Sequence, residues 1–353
     1  MKACVLEGIG QLKYKDVEIP VMKKGEVLVN VKACGICSSD IPRIFTTGTY
    51  HFPTIPGHEF CGQIVDAAED VDKSYIGKRA VIFPLLPCGE CPSCKEKEYA
   101  RCDNYNYFGS RCDGGMAEYI SVPLWNIVTF SDDIPYNTAA LTEPMAVARH
   151  ATRRADINND KRVLVMGNGT IGLLAALIAQ KEAKQVIVAG RSKEKEEFTK
   201  SVGLENVVDT NSDLKEQIDK ITDGNGVDVV IECVGSNDSI ESSILTVKKG
   251  GTIVLTGNPY GDLNLPKASY WKILRKELTV KGTWNSSYND TCNDWKDCIK
   301  MIENGEVDIS KLVTHAFKME DYEHALDVLR DKNVLTCKVM LNPWFYCIWK
   351  RYE

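Results

Sequence analysis

Gly167-Asn168-Gly169-Thr170-Ile171-Gly172 constrains the fold of this chain more than any other run. It reads G-x-G-x-x-G, and its flanks matter as much as its glycines. The apolar stretch Val163-Leu164-Val165-Met166 precedes it. An alanine- and leucine-rich stretch, from about Ile171 to Gln180, follows it. A buried strand, a glycine turn and a helix, in that order, open a βαβ unit. Gly167 would make the tight turn. Gly169 would let a pyrophosphate approach backbone N–H groups at the helix N-terminus, where Thr170 and Ile171 begin the first turn. Gly172 would let the helix pack close to the sheet.

The chain then alternates. A strand at Gln185–Ala189, a charged helix after Ser192, and strands at Val227–Glu232 and Thr252–Leu255 follow in order. This alternation predicts an α/β, doubly wound parallel sheet. Cys233-Val234 and Thr256-Gly257 fall just past two strand ends, where such a sheet binds its nucleotide. The second strand ends in Gly190-Arg191-Ser192, followed by Lys193 and Lys195, with no carboxylate. An acid at that tip binds the ribose 2′-hydroxyl of NAD and would repel a 2′-phosphate. Arg191, Ser192 and Lys195 would instead bind that phosphate. The expected cofactor is therefore NADP(H) in preference to NAD(H), with a solvated Arg191 and a site that takes both cofactors as the alternative.

Four cysteines, Cys88, Cys91, Cys94 and Cys102, stand in CGECPSCKEKEYARC. The spacing lets one loop curl round a tetrahedral ion, and four thiolates select zinc or iron–sulfur. A closed Cys4 site has no open position, so it is structural and any reaction lies elsewhere. Cys37, His58 and Glu59 offer a thiolate, an imidazole and a carboxylate, with Glu143 as a fourth candidate. Mixed ligands with a replaceable position suit a catalytic zinc. By spacing alone, a structural histidine and a surface glutamate remain open readings. Cys34 reads as the packed end of a strand.

The first third carries short strand signals. Glu26–Lys32 places Val27, Val29 and Val31 on one face. Turn punctuation follows closely, and the region reads as antiparallel and loop-rich. The texture changes near residue 150 and changes back near 283, where an amphipathic helix is expected around Trp295–Ile302. A chain of 353 residues suggests two domains. A formal charge of -6 argues against a nucleic-acid surface. No apolar run reaches the roughly 18 residues a membrane span needs. Fourteen cysteines without an export signal predict reduced thiols and a cytoplasmic protein. The aromatic ending, PWFYCIWKRYE, reads as a docking tail or an edge strand with an extension.

The Cys4 loop, Pro56-Gly57-His58-Glu59, Cys37-Ser38-Ser39-Asp40 and the later glycine turn together resemble the zinc-dependent medium-chain alcohol dehydrogenases over nearly the whole chain. Glu143-Pro144 is similar to the polyol dehydrogenase branch. The resemblance implies a GroES-like, mainly antiparallel β catalytic domain in two parts, 1–150 and 284–353. A Rossmann domain, 151–283, is inserted between them. It implies two zinc ions per chain, one catalytic on Cys37, His58, Glu59 and Glu143, and one structural. It places Ser39 where a hydroxyl relays the substrate proton and Asp40 behind His58. It implies hydride transfer between a secondary alcohol and the nicotinamide, and a homodimer or homotetramer.

The strings Ser39–Phe45, Pro84–Cys88 and Phe108–Arg111 resemble members of that branch that act on a phosphorylated polyol. Arg43 and Arg111 are the expected phosphate cations, with ordinary surface arginines as the alternative. Phe45, Tyr50 and Phe108 are the expected pocket walls, with ordinary core aromatics as an equal alternative. The rival class is a non-catalytic binding protein on the same fold. The intact set Cys37, His58, Glu59, Glu143 and Ser39 speaks against it.

Overall fold

The computed structural model describes residues 1–344. Of the aromatic ending, only Pro343 and Trp344 fall within them, so its expected docking or edge-strand role lies outside the described residues. Six parallel strands form one sheet. Their spatial order is Val207–Asp209, Gln185–Gly190, Arg162–Met166, Val227–Glu232, Val247–Leu255 and Thr279–Gly282. Numbered along the chain this order is 3-2-1-4-5-6, which reverses direction between the first and fourth strands. The glycine turn leaves the first strand at that reversal.

Alternate side chains of the first strand go to opposite faces. Val163 and Val165 join Val188 and Ile231 in one core, while Leu164 and Met166 join Ile187 and Val230 in another. Both faces are covered, which is why the strand is apolar throughout. Helix Thr170–Ala179 is buried from Gly172 onward. It packs on the sheet and on helix Thr142–Arg154, so its apolar character runs all round. A Cβ at Gly172 would sit 1.9 Å from the Gly167 carbonyl oxygen, so only glycine allows this approach of helix and turn.

The second sheet has the path Val313–Lys318, Lys338–Asn342, Glu26–Ile36, Glu59–Ala67, Arg79–Ile82 and Ile127–Phe130, with Tyr119–Pro123 also paired to Glu26–Ile36. Its pairings are antiparallel except the first, which is parallel. Val27, Val29 and Val31 share one buried face, as the alternation predicted. A register shift between Val31 and Ala33 then turns Ala33 toward the other core. This strand runs out at Ile36, one residue before Cys37. Strand Lys338–Asn342, from the far end of the chain, pairs with Cys34, Gly35 and Ile36.

The expected helix near Trp295 spans Asp294–Glu303 and is capped by Asn293, whose side chain accepts from the Lys296 N–H. Trp295 is buried beside Phe83 and Tyr288. Phe83 stacks on Tyr288 at 4.2 Å between ring centroids, and Trp295 meets Phe83 edge-on at 5.6 Å. Such pairs add about 0.5–1.5 kcal/mol each beyond area burial and hold the returning chain against the antiparallel sheet.

Candidate active site

Cys37 sits in the turn after strand Glu26–Ile36. His58 and Glu59 enter the neighbouring strand, where Glu59 pairs with Gly35. A Cβ on Gly35 would lie 2.4 Å from Glu59 Oε2, so this glycine makes room for the carboxylate. The ligand atoms of Cys37, His58 and Glu59 all lie within 4.8 Å of one another. Sulfur, imidazole and carboxylate converging this closely fit a zinc ion. Glu143 stands outside that cluster of three, at the start of helix Thr142–Arg154.

Asp40 organises the cluster from behind. It is fully buried. Its Oδ2 accepts the Cys37 N–H at 3.1 Å, and its Oδ1 accepts from Arg43 Nη1 at 3.1 Å. His58 Nδ1 lies 3.4 Å from the same Oδ1, close enough for charge attraction but too far for a well-formed hydrogen bond. Burial alone pushes the His58 imidazolium down, but the charges of Asp40 and Cys37 outweigh it and hold His58 well above its ordinary value. The Ser39 hydroxyl donates to Cys37 Sγ at 3.2 Å and accepts from Arg43 Nη1 at 3.0 Å. The structure thus brings Cys37, Ser39, Asp40, Arg43, His58 and Glu59 together.

Two residues at this site escaped the sequence reading. Lys338 is buried, and its Nζ stands 2.7 and 2.5 Å from the two oxygens of Glu59. Burial alone would push its ammonium down; the charges of Glu59 and Cys37 raise it instead. Tyr107 donates its hydroxyl to Glu143 Oε1 at 3.1 Å, and its ring lies 5.7 Å from that of His58. Burial chiefly, with Glu59 adding to it, pushes the Glu143 carboxyl up to about 7. No local spacing announces either residue. Lys338 is 279 positions from its partner.

The other expected substrate residues divide. Arg111 is clamped between Tyr50 and Tyr105, with its carbon 4.1 and 4.5 Å from the two ring centroids. It donates to the Tyr50 hydroxyl and the Tyr105 carbonyl, both at 3.1 Å. Tyr105 meets Tyr107 edge-on, which links this pair to the cluster. Phe45 lies under the guanidinium of Arg330 at 4.3 Å. Phe108 takes the core alternative: it is buried and packs edge-on to Phe60, with 6.1 Å between ring centroids.

The Cys4 loop closes as its spacing requires. Cys88, Cys91, Cys94 and Cys102 converge, with sulfur–sulfur separations of 3.5 and 3.9 Å. A tetrahedron with Zn–S of ~2.3 Å has edges of ~3.8 Å. Backbone N–H groups of Asp103 and Cys94 lower the Cys91 thiol to about 7, toward the thiolate a metal needs.

A cleft of about 780 Å³ runs over the switch point. Gly167, Gly169, Gly190, Arg191, Ser192, Lys195, Cys233 and Val234 line it. Nothing stands within 4 Å of a Cβ built on Gly169, so the space beside that backbone is open for a pyrophosphate. Ser192 caps the following helix through the Lys195 N–H at 3.2 Å. Thr170, Ile171 and Gly172 are not among the lining residues, and Thr170 donates to the Cys337 carbonyl at 2.6 Å. Thr256 and Gly257 are not among them either; their N–H groups donate to the Glu232 carbonyl. Asn211, Arg330 and Lys332 also line the cleft, as do the carboxylates Asp238 and Asp331, and the sequence reading had missed them.

This combination defines a zinc-type dehydrogenase with a GroES-like and a Rossmann unit. The family model described as "Alcohol dehydrogenase GroES-like domain" matches residues 23–132, and "Zinc-binding dehydrogenase" matches residues 170–304. The chain is 33% identical to galactitol 1-phosphate 5-dehydrogenase of Escherichia coli K12, over 97% of this chain and all of that one. It is 30% identical to sorbitol dehydrogenase of Halalkalibacterium halodurans, over 97% and 99%. The crystal structure of the Escherichia coli galactitol-1-phosphate dehydrogenase superposes with a TM-score of 0.91 and covers 97% of this chain and 100% of that one. A zinc-binding dehydrogenase of Sinorhizobium meliloti 1021, solved with NADP bound, is 29% identical with a TM-score of 0.88, over 97% and 99%. The chain belongs to the zinc-dependent medium-chain alcohol dehydrogenase family, among the polyol dehydrogenases. It is an oxidoreductase acting on CH–OH groups.

Proposed function

We propose that the chain interconverts a secondary alcohol of a sugar-alcohol phosphate and the corresponding ketose phosphate, with NADP(H). The observation that carries this reading is the conjunction of the Cys37–His58–Glu59 cluster with a cleft whose second-strand tip is cationic. The register partner of Gly190 at that tip, Asp209, accepts from Asn211 through Oδ1 and is not among the residues that line the cleft, which supports a strand tip free of the acid that NAD requires. The phosphate reading draws support from the galactitol 1-phosphate 5-dehydrogenase relative. Arg43 and Arg111 are its proposed cations, and Phe45 and Tyr50 its proposed walls. The proposed division is 1–150 and 284–353 for the catalytic unit and 151–283 for the nucleotide unit.

When bound, zinc supplies a Lewis acid that stabilises negative charge on the substrate oxygen. A bound nicotinamide supplies the hydride acceptor or donor. The rest falls to the chain. Cys37, His58 and Glu59 would hold the metal, with Glu143 as the fourth ligand or the holder of its water. Asp40 orients His58 and the Cys37 turn. Ser39, whose hydroxyl donates to Cys37 Sγ in this structure, would turn to accept the alcohol's proton while giving its own to the cofactor ribose. A second zinc on Cys88, Cys91, Cys94 and Cys102 would hold the long loop closed.

The test is oxidation of NADPH and of NADH by zinc-loaded protein against matched ketoses, each with and without its phosphate. Faster NADPH turnover with one ketose phosphate than with its free sugar is expected. Turnover of free ketoses alone, with NADH, sinks the phosphate and NADP readings. It would place the chain with its sorbitol dehydrogenase relative.

A further inference from the structure

Beside Asp40, the active site holds two glutamates, and each has its own donor. Glu59 lies against an ammonium, Lys338. Glu143 has a phenol, Tyr107. The difference matters because Glu143 is the carboxylate left without a formal positive partner at hydrogen-bond distance. It is nearly fully buried, and an unpaired buried acceptor is costly. The Tyr107 hydroxyl meets that need at one oxygen, Oε1, and leaves the other as the oxygen available to a metal or to water held there. The Tyr107 ring is itself held, by contact with His58 on one side and with Tyr105 on the other. Tyr105 is braced in turn by Arg111. The phenol is therefore a fixed donor rather than a mobile one.

We propose that Tyr107 is a positioning residue that fixes the Glu143 carboxylate through the hydrogen bond from its hydroxyl, and so sets how Glu143 presents itself to the metal cluster. This rests on the zinc reading above and adds a residue to it. A residue that orients a metal-site carboxylate acts on metal affinity as much as on rate, typically about 10–100-fold on removal. A phenyl ring alone would keep the packing on His58 and lose only the donor.

The test is Tyr107→Phe, with Tyr105→Phe as the packing control. Zinc retention is titrated against a competing chelator, and the visible absorption of the cobalt-substituted protein reports ligand geometry. The variant is expected to bind zinc about 10–100-fold more weakly, with a shifted cobalt band and reduced kcat/KM. Tyr105→Phe is expected to leave all three near wild type, and zinc on the Cys4 loop should be retained throughout. A Tyr107→Phe protein with wild-type zinc affinity and cobalt spectrum overturns the inference while the zinc reading stands. A wild-type protein that binds no metal at Cys37 overturns both.

Discussion

At the scale of single residues, Lys338 and Glu59 form a buried ion pair beside the Cys37 cluster. Both are buried, so neither charge has water to return to. Removing one partner of such a pair costs about 3–5 kcal/mol, because the survivor is left uncompensated. Lys338→Met is therefore predicted to lower metal-free stability by about that much. Zinc offers Glu59 a second partner, so the loss should shrink in the loaded protein. Denaturant unfolding of wild type and variant, with and without zinc, measures the difference. An equal loss in both forms would show that Glu59 does not face the metal. The pair also marks a boundary of what residue patterns reveal. Cys88 to Cys102 were legible because one short loop carries all four ligands. Lys338 was not, because only the register of strand Lys338–Asn342 against Cys34–Ile36 delivers it. Phe108 stood open between pocket wall and core for a like reason: a string shared with relatives carries no information about which way its side chain packs.

At the scale of elements, the helix carrying Glu143 is tied to the returning chain by one buried acid. Asp294 begins helix Asp294–Glu303 and is fully buried. Its carboxylate accepts from Arg153 and from the Ser287 N–H and lies 3.2 Å from His150 Nδ1. Arg153 and His150 both belong to helix Thr142–Arg154. Burial alone would raise this carboxyl; the contacts with His150, Ser287 and Arg153 hold it below the ordinary carboxylate range. A carboxylate lowered on folding contributes stability above its unfolded value, near 3.9, and loses it as pH falls through the folded value. Asp294→Asn is thus predicted to cost about 2–4 kcal/mol from pH 5 to 7, with the gap closing below roughly pH 4. Urea unfolding midpoints across that range decide it. A gap that persists unchanged in acid would assign the loss to packing instead. The helices and strands themselves were largely legible, since periodicity and caps are local. Their mutual ties were not, because Arg153 and Asp294 lie 141 positions apart.

At the scale of the whole molecule, the six-stranded parallel sheet ends, among the described residues, in two edge strands, Val207–Asp209 and Thr279–Gly282. Strand Thr279–Gly282 pairs with Val247–Leu255 and, among the described residues, has no neighbour beyond. Val280 is exposed on it, and Trp271, Leu274 and Trp284 are exposed nearby in sequence. Open strand edges with apolar side chains invite pairing with another chain, and proteins that stay monomeric blunt them with charge. The resemblance-based expectation of a homodimer or homotetramer thus finds a physical candidate surface. If the homodimer or homotetramer that the resemblance implies forms along this edge, the two sheets become continuous and Val280 lies at the seam. Val280→Lys would put an ammonium on the seam of each copy and face it with another. Sedimentation velocity is predicted to show a dimer or tetramer for wild type and a smaller species for the variant, with zinc content unchanged. Identical sedimentation of the two proteins would move the interface elsewhere and leave Trp271 and Trp284 without a partner from this chain.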